Sequence, residues 1–346
     1  MKVLALGLDK NILDENSAVF QRALLYREKL DKYLVLVPGD GNKVLALLKL
    51  FFSLHKILKQ EQFDLVSIQD IYFLPLVIWH FQGKYKFKVE IQIHGFEKFN
   101  GFRKMLFKYN IQRADIIRVV SFRLKKELVD YFKITIDKIY IVPVAVDKNK
   151  FLEKNISTNL HQKYPGKFIF LTVSRLVQVK NIALQLQAIA KLSESIKNKI
   201  ILLVIGDGSD RIGLQNLVKN LQIEKQVKFL GSGHGLDLPS YYKTVDCFLL
   251  TSHSEGYGMV IAEAVLSDLP VIMTDVGVAG ELVEDNVNGF VVPVNNVEIL
   301  KQKMELLIQD QNLLTKLRNN NKNFKNKILD KEELIDEVVN NWQRVL

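Results

Sequence analysis

Two cationic side chains stand in a turn suited to binding a diphosphate. Arg175 and Lys180 follow Ser174, where the apolar run 168–174 ends. Arginine offers a planar fork of donors and lysine a compact point charge, so the pair can clamp a diphosphate. A helix beginning near Asn181 adds the positive end of its dipole. The alternative is that both are ordinary solvated surface cations.

A glycine-containing turn further along the chain offers backbone amides to a phosphate. Gly256, Tyr257 and Gly258 precede an apolar helical segment that begins at Met259. Glycine leaves the backbone bare, so the N–H groups of Gly258, Met259 and Val260 can hold a phosphate at the helix N-terminus.

Two carboxylates flank this turn at a spacing that suits hydroxyl groups. Glu255 precedes the helix, and Glu263 lies about two turns later near the same face. An ionised carboxylate only accepts hydrogen bonds and can take two of them from a diol. This arrangement suits a ligand with two sets of hydroxyls. The alternative is a helix N-terminal acid followed by a solvated glutamate.

A third turn, Gly206-Asp207-Gly208, follows the apolar run 200–205. Its glycines permit a sharp bend and a close approach of the backbone to a ligand. A plain strand-to-helix connection explains the same residues equally well.

All these residues follow short apolar runs that are typical of buried parallel strands. Segments with helical spacing, such as 18–30, 44–59 and 102–113, separate the runs. We predict strands at 3–8, 33–37, 65–68, 89–93, 116–121, 139–144, 168–174, 200–205, 227–230, 247–251, 271–274 and 290–292. The alternation of strands and helices indicates an α/β fold with doubly wound sheets.

The length of 346 residues favours two domains. We interpret the polar stretch at 148–165 as the linker between two Rossmann-like domains that face each other across a cleft. We place them at 1–150 and 151–327, with an amphipathic terminal helix at 328–346 that needs a docking surface. Ligands of such sheets bind beyond the carboxyl ends of the strands.

Composition limits the class of protein. The chain is 48% hydrophobic and 25% charged, as in soluble globular proteins. Its one cysteine, Cys247, forms no intrachain disulfide and favours a reducing compartment. We see neither a secretory signal nor an apolar run long enough to span a bilayer.

The net charge of +10 is confined to one half of the chain. Residues 1–150 hold 26 Lys and Arg against 16 Asp and Glu, whereas 151–346 hold 22 of each. Such an excess suggests an anionic partner, but no nucleic-acid recognition motif accompanies it.

The motifs together resemble the retaining glycosyltransferases of family 4. Arg175, Lys180, the Glu255-x7-Glu263 segment, the turn at 206–208 and the stretch 238–242 match that family in order and spacing. The resemblance implies the GT-B architecture, with a nucleotide sugar held by the C-terminal domain and the acceptor by the N-terminal one. It also implies that the terminal helix crosses back onto the N-terminal domain.

The resemblance assigns roles to individual residues. Arg175 and Lys180 would bind the donor diphosphate, Glu255 the hydroxyls of the transferred sugar, and Glu263 the ribose. Gly206 and the loop at Gly231 would flank the base. The donor-binding set is completed by residues of the same turns: Ser174, Asp207, Gly256, Tyr257, Gly258, Met259 and Val260.

The N-terminal half fits the family less closely. His94 resembles the family's histidine between donor sugar and acceptor, although a lone histidine at a strand end is as often structural. The first loop departs from the glycine pair of many members. Asp9 and Asp14 are candidate acceptor contacts there, and Asn16 or Ser17 can cap the following helix.

The chemistry implied is front-face attack, with the departing phosphate taking the acceptor's proton while cations and helix amides stabilise its charge. No Asp-x-Asp motif occurs, so we expect no metal and no cofactor beyond the nucleotide sugar. The expected reaction moves a hexose from a UDP- or GDP-sugar to a glycan or lipid-linked glycan in cell-surface polysaccharide or glycolipid synthesis. The alternatives are a non-hydrolysing nucleotide-sugar epimerase and a non-catalytic GT-B scaffold subunit.

Two basic and apolar segments, 43–59 and 102–108, suggest peripheral contact with an anionic membrane. The alternative is ordinary helices with solvated lysines. We therefore expect a cytoplasmic protein, in peripheral contact with the inner face of the cell membrane if the first interpretation holds.

Overall fold

The computed structural model describes residues 1–7, 9–38, 43–95, 101–153 and 156–346. The chain divides into two compact units. Unit 1 comprises Met1–Val144 and Asp330–Leu346, and unit 2 comprises Ala145–Leu329. The first unit is therefore built from both ends of the chain.

Unit 1 alternates strands with helices from its first residues onward. Its elements are β1 (Lys2–Leu6), α1 (Ala18–Lys29), β2 (Lys32–Leu36), α2 (Lys43–Gln60), β3 (Leu65–Ile68), α3 (Leu74–Tyr85), β4 (Lys88–Ile93), α4 (Phe102–Arg113), β5 (Ile116–Val119), α5 (Phe122–Phe132) and β6 (Ile139–Ile141). Short 3-10 helices span Lys10–Leu13 and Ile136–Lys138.

The strands of unit 1 form a parallel sheet in the order β2-β1-β3-β4-β5-β6, as far as the described residues show. Helices α2, α3, α4 and α5 form one layer on this sheet, because neighbouring helices contact each other, as Trp79 does Asn110 and Phe107 does Phe132. The right-handed crossover rule places α1 on the opposite face. The buried apolar side chains of the strands fill the core between the layers.

Unit 2 repeats the same alternation. Its elements are α6 (Lys148–Leu152), α7 (Leu160–Lys163), β7 (Phe168–Val173), α8 (Ile182–Ala190), α9 (Glu194–Lys197), β8 (Ile200–Ile205), α10 (Arg211–Asn220), β9 (Val227–Phe229), α11 (Leu238–Thr244), β10 (Cys247–Leu250), α12 (Met259–Leu266), β11 (Val271–Thr274), β12 (Gly289–Val292), α13 (Val297–Gln309) and α14 (Gln311–Asn320). Further 3-10 helices span Gln178–Lys180, Asn321–Asn323 and Lys325–Lys327.

The sheet of unit 2 has the order β12-β11-β10-β7-β8-β9, and the recorded strand pairs are parallel. One buried cluster joins its strands to α8, α10, α13 and α14. Two parallel sheets covered by helices confirm the predicted α/β class with two doubly wound domains. The stretch 148–165, predicted as a linker, is partly helical because it contains α6 and α7.

The final helix, α15 (Lys331–Val345), belongs to unit 1. It begins with a reciprocal capping box between Asp330 and Glu333. The Trp342 ring stacks on Tyr26 of α1, and its Nε1 donates to Glu90 Oε1 at 2.9 Å. Buried apolar residues of α15 thereby gain the docking surface that an amphipathic helix needs.

The sheet face beneath α1 and α15 carries a buried polar row. Ser67 pairs in register with Glu90, and Arg118 pairs with both Gln92 and Tyr140, so these side chains share one face. Ser67 and Tyr140 both donate hydrogen bonds to the Glu90 carboxylate, and Arg118 Nη2 donates to Gln92 Oε1 at 2.5 Å. The row leads along β4 toward His94.

None of the described helices combines the length and the apolarity that a membrane crossing requires.

Candidate active site

The predicted donor-binding residues of unit 2 follow neighbouring strands at a topological switch point. From β7 the chain moves to β8 and β9 on one side, whereas β10 pairs with β7 on the other. The loops that leave β7 and β10 therefore diverge from adjacent carboxyl ends, the position where open α/β sheets bind ligands.

Backbone and side-chain hydrogen bonds join these two loops. The His253 N–H donates to the Val179 carbonyl at 2.8 Å, and Thr251 Oγ1 donates to the Asn181 carbonyl at 2.9 Å. Gln185, buried in α8, donates to Thr251 Oγ1 at 3.0 Å. The loops are thus held in fixed positions relative to each other.

Lys180 and Glu255 form an ion pair across this junction. Lys180 Nζ lies 2.5 Å from Glu255 Oε1, and the two side chains are only 18% and 10% exposed. Ser252 Oγ donates to the same carboxylate oxygen at 2.6 Å. Because a half-buried pair is screened less than a surface pair, these two residues fix each other's position.

Arg175 differs from Lys180 in being exposed. Within the part of the chain that the structure describes, its guanidinium has no hydrogen-bond or ion-pair partner. The loop around it is nevertheless fixed, because the Leu176 N–H donates to the Asp207 carbonyl at 2.9 Å and the Asp210 N–H donates to the Leu176 carbonyl at 2.9 Å. A free cation on a fixed loop is available to an anionic ligand.

The glycines after β8 make room for the loop after β7. Gly206 has φ of +143°, and a Cβ there would lie 1.7 Å from the Ser174 carbonyl oxygen. A Cβ on Gly208 would lie 2.3 Å from the Leu176 carbonyl oxygen. The structural requirement for both glycines is therefore the close contact of two loops, whether or not a ligand also approaches.

The loop after β9 joins the same group through Gly231. The Gly206 N–H donates to the Gly231 carbonyl at 2.6 Å. The Asp207 side chain is used locally, because it accepts hydrogen bonds from the Gly208 N–H and from Arg211, and these lower its pKa. The structure thus brings Gly206 and Gly231 together and gives the Asp207 carboxylate two partners within its own turn.

Helix α12 begins without a side-chain cap. Its N-cap residue is Gly258, with φ of +93°, which has no side chain to accept a hydrogen bond from the first turn. The first N–H groups of a helix have no intrahelical partner, so those of Met259 and Val260 can receive an anion. Gly256 and Tyr257 precede this cap, in the same loop as Glu255.

Two of the predicted residues bury polar atoms that have no partner. Ser174 Oγ and Tyr257 Oη are buried without a hydrogen bond to any described residue. Burial raises the pKa of the Tyr257 hydroxyl, which therefore stays protonated. An unsatisfied buried hydroxyl costs about 1–3 kcal/mol, which a water or ligand at either position would recover.

Glu263, on α12, is fixed by Tyr242. Tyr242 Oη donates to Glu263 Oε2 at 2.7 Å, and the Tyr242 ring stacks on Phe248. Desolvation by burial raises the pKa of Glu263. A carboxylate held this way is set in one orientation for a hydroxyl donor.

Sequence reasoning did not identify two residues that adjoin the loop of Glu255, namely Thr274 at the end of β11 and Gly277 after it. Thr274 Oγ1 donates to the Ser252 carbonyl at 2.7 Å. Gly277 has φ of +54°, and a Cβ there would lie 2.9 Å from Glu255 Cβ and 2.5 Å from the Tyr257 carbonyl oxygen. The available signal was their position at and after the strand end, the same criterion that identified the other loops.

The predicted acceptor-side residues lie in unit 1, after β1. Asp9 Oδ1 accepts from the Asn11 N–H at 3.0 Å, and Asp14 Oδ1 accepts from the Asn16 N–H at 3.0 Å. Ser17 caps α1, since its Oγ accepts from the Phe20 N–H at 3.0 Å. Ser17, rather than Asn16, is therefore the cap of this helix.

His94 follows β4, and the residue is exposed to solvent. Desolvation by the protein around its ring, followed by the positive charges of Arg118 and Arg22, lowers its pKa to about 4. The imidazole is therefore neutral at pH 7 and can both donate and accept a hydrogen bond.

In the described ranges, no group of three or more His, Cys, Asp or Glu side chains is arranged to hold a metal ion.

Comparison with known protein families matches both halves of the chain. A model described as glycosyl transferases group 1 matches residues 154–324. A model described as Glycosyltransferase Family 4 matches residues 19–150.

Two curated relatives illustrate the similarity. N-acetyl-alpha-D-glucosaminyl L-malate synthase of Bacillus anthracis is 28% identical over 60% of this chain and 54% of its own length. The N-acetylgalactosamine-N,N'-diacetylbacillosaminyl-diphospho-undecaprenol 4-alpha-N-acetylgalactosaminyltransferase of Campylobacter jejuni is 30% identical over 69% of this chain and 62% of its own. The chain thus spans little more than half the length of such relatives.

Solved structures share the fold over the whole chain. Alr3699/HepE from Anabaena, crystallised with UDP, has a TM-score of 0.81 at 19% identity, covering 99% of this chain and 100% of its own. The same protein crystallised with UDP-glucose has a TM-score of 0.77 at 18% identity, with the same two coverages. This similarity shows the two-domain GT-B fold.

Proposed function

The chain belongs to the family 4 glycosyltransferases, and we propose that it is a retaining hexosyltransferase. Its donor is a UDP- or GDP-linked hexose, and its acceptor is a glycan or lipid-linked glycan in cell-surface polysaccharide or glycolipid synthesis. The observation that carries the proposal is the Lys180–Glu255 ion pair at the switch point of unit 2, next to the uncapped start of α12.

The donor diphosphate would bind between the cations and the helix amides. Arg175 is free to form a bidentate contact, and Lys180 can bind a phosphate oxygen while it stays paired with Glu255. The N–H groups at the start of α12 add the dipole of the helix. These groups stabilise the negative charge that develops on the diphosphate as it leaves.

The sugar hydroxyls and the ribose would meet the two carboxylates. Glu255 can accept hydrogen bonds from hydroxyls of the transferred hexose, and Glu263, oriented by Tyr242, from those of the ribose. Gly206 and Gly231 would flank the base. The UDP and UDP-glucose named for the Anabaena neighbour support a uridine nucleotide as the first donor to test.

The chemical step is a single exchange at the anomeric carbon. The bond from that carbon to the leaving phosphate oxygen breaks, and a bond to the acceptor oxygen forms on the same face. The proton of the acceptor hydroxyl passes to the departing phosphate, so the configuration is retained without a side-chain nucleophile. The neutral His94 would serve as a hydrogen-bonding partner for the sugar and acceptor, not as a proton-carrying cation.

We propose that no divalent metal takes part. Arg175, Lys180 and the α12 amides supply positive charge where a metal would otherwise neutralise the diphosphate. The proposed compartment is the cytoplasm, since Cys247, the one cysteine of the chain, is buried as a free thiol.

The test is a donor panel assayed with and without acceptors. The purified chain is incubated with UDP- and GDP-linked hexoses, with and without a chelator, and release of the nucleoside diphosphate is measured. We expect release from one donor, unaffected by the chelator, and an NMR coupling in the product that matches the donor's anomeric configuration. Inversion at that carbon would contradict retention. Interconversion of nucleotide sugars without release would indicate an epimerase, and no reaction with any donor would indicate a scaffold.

A further inference from the structure

One helix layer of unit 1 accounts for nearly all of the excess charge of the chain. Helices α2, α3 and α4 contain four, one and four Lys or Arg residues and no Asp or Glu. Their nine cations compare with an excess of ten over residues 1–150, where 26 Lys and Arg face 16 Asp and Glu. The charge is thus concentrated on a single surface.

Most cations of this surface are exposed. Lys49, Lys56 and Lys108 are exposed, and no ion pair involves the cations of these helices anywhere in the described part of the chain. Arg103 and Arg113 instead lie over the rings of Tyr72 and Trp79, at 6.0 and 5.5 Å from the ring centroids. The surface therefore presents a positive field to solvent.

Large apolar side chains alternate with these cations. On α2 the exposed residues are Leu45, Leu48 and Phe52, and on α4 they are Phe102, Met105 and Tyr109. Both sets follow the spacing i, i+3, i+7, which places each set along one side of its helix. Phe52, Phe102 and Met105 are 68%, 64% and 62% exposed, so neither stripe is covered by the rest of the protein.

Each apolar stripe begins in the first turn of its helix, at Leu45 on α2 and at Phe102 on α4. Each helix follows the carboxyl end of a strand along the chain, β2 for α2 and β4 for α4, so its first turn is the end that faces that edge of the sheet. The loops that carry Asp9, Asp14 and His94 leave the same edge. An apolar surface that bound a membrane would therefore bring the candidate acceptor loops close to the lipid headgroups.

We propose that the outer face of α2, α3 and α4 is a docking surface for an anionic phospholipid bilayer. The apolar stripes insert among the acyl chains near the interface, and the interleaved cations bind lipid phosphates. A nucleic acid would use the cations and leave the apolar stripes in water, so the bilayer fits the whole surface better. The delivery of a lipid-linked acceptor to the loops of unit 1 rests on the proposed function, whereas binding to the bilayer does not.

The experiment measures sedimentation of the full chain with vesicles, without donor or acceptor. Vesicles of phosphatidylglycerol and phosphatidylcholine are compared with vesicles of phosphatidylcholine alone over a range of salt concentrations. Variants are a charge triple, Lys49→Gln, Arg103→Gln and Lys108→Gln, and an apolar pair, Phe52→Ser and Phe102→Ser. The controls are Lys219→Gln, Lys225→Gln and Lys228→Gln combined, and Ile212→Ser, which alter exposed residues of unit 2.

We expect binding to the anionic vesicles that weakens with salt. Each lost cation should reduce partitioning about fivefold, hence roughly a hundredfold for the triple variant. The apolar pair should also lose binding, while both unit 2 controls keep it. Thermal unfolding of each variant checks that the fold is retained. The salt series uses the unaltered chain, so it tests the proposal even if a variant fails to fold.

The proposal is overturned if the unaltered chain does not sediment with anionic vesicles, if the unit 2 triple loses as much binding as the α2 and α4 triple, or if the chain binds duplex DNA and not vesicles. Because no donor is present, failure here leaves the proposed transfer reaction intact. Conversely, a chain that binds vesicles but consumes no nucleotide sugar refutes the proposed function alone.

Discussion

Trp342 donates its indole N–H to Glu90 Oε1 at 2.9 Å, across 252 positions of the chain. Glu90 is buried, and its carboxylate also accepts hydrogen bonds from Ser67 and Tyr140. The other tryptophan of the chain, Trp79, makes a bond of the same length, 2.9 Å, to the neutral amide oxygen of Asn110. The two bonds differ in their acceptors, because Glu90 offers a carboxyl oxygen and Asn110 an amide oxygen.

This difference predicts unequal effects of replacing each tryptophan. Trp342→Phe should lower the free energy of unfolding of unit 1 by about 1.5–3 kcal/mol, and Trp79→Phe by about 0.5–1.5 kcal/mol, before the shared loss of ring volume. Urea unfolding is followed by the fluorescence of the remaining tryptophan, which lies in unit 1 in both variants. Equal losses would show that the Glu90 bond is no stronger than a neutral one.

The Lys180–Glu255 pair predicts a loss of activity that a stability defect does not explain. Lys180→Ala should reduce nucleoside diphosphate release at least about a hundredfold, because a cation that stabilises the leaving group is lost. The double variant Lys180→Ala with Glu255→Gln should recover stability, because it removes the unpaired carboxylate, but should not recover activity. Lys219→Ala, at an exposed lysine of α10, is the control. Near-normal release by Lys180→Ala would refute the assigned role.

Gly206 and Gly213 predict opposite effects of the same added methyl group. Gly206→Ala places a Cβ 1.7 Å from the Ser174 carbonyl oxygen, so the loops after β7 and β8 must separate and donor binding should weaken. At Gly213, within α10, a Cβ meets nothing within 4 Å, so Gly213→Ala should stabilise unit 2 by about 0.5–1 kcal/mol. Thermal unfolding with and without UDP measures both effects. A Gly206→Ala variant that unfolds and binds UDP normally would contradict the proposed loop contact.

His94 predicts an unusual titration. Its pKa is lowered from 6.5 to about 4, so the unfolded chain binds more protons than the folded one between those values. The His94 contribution to stability is therefore fully present above pH 6.5 and is lost as pH falls toward 4. NMR titration of labelled imidazoles, with His94→Gln used to assign the resonance, measures the midpoint. A midpoint near 6.5 would show that the ring is not desolvated.

The strands were predictable because each is a short apolar run, and most are buried, although β2, β6 and β9 are only partly so. Each predicted strand overlaps an observed strand, with ends that differ by a few residues, whereas Leu8, the predicted end of the first strand, lies outside the described residues. The exception is a stretch in which capping side chains determine the backbone conformation. The polar stretch 148–165 contains two short helices that begin at the capping residues Asp147 and Asn159, a signal that its polar composition obscured.

The candidate site was partly predictable because its residues follow these strands. Arg175, Lys180 and Glu255 combine a chemical type with a place after a strand, and both are visible in the sequence. The room that Gly277 leaves for Glu255 was not visible, because it depends on two loops, separated along the chain, meeting in space. The partners of Asp207 likewise depend on its turn geometry.

The division of unit 1 between the two ends of the chain has a consequence for biosynthesis. Unit 2 is continuous and can fold while the ribosome is still adding residues, since domains generally fold as units during synthesis. The β-sheet of unit 1 precedes unit 2 in the chain, yet Glu90 and Tyr26 must wait for Trp342, which follows unit 2, to be covered. The sheet of unit 1 is therefore completed only after unit 2 has been synthesised, and a nascent chain that stalls before residue 342 leaves Glu90 and Tyr26 uncovered.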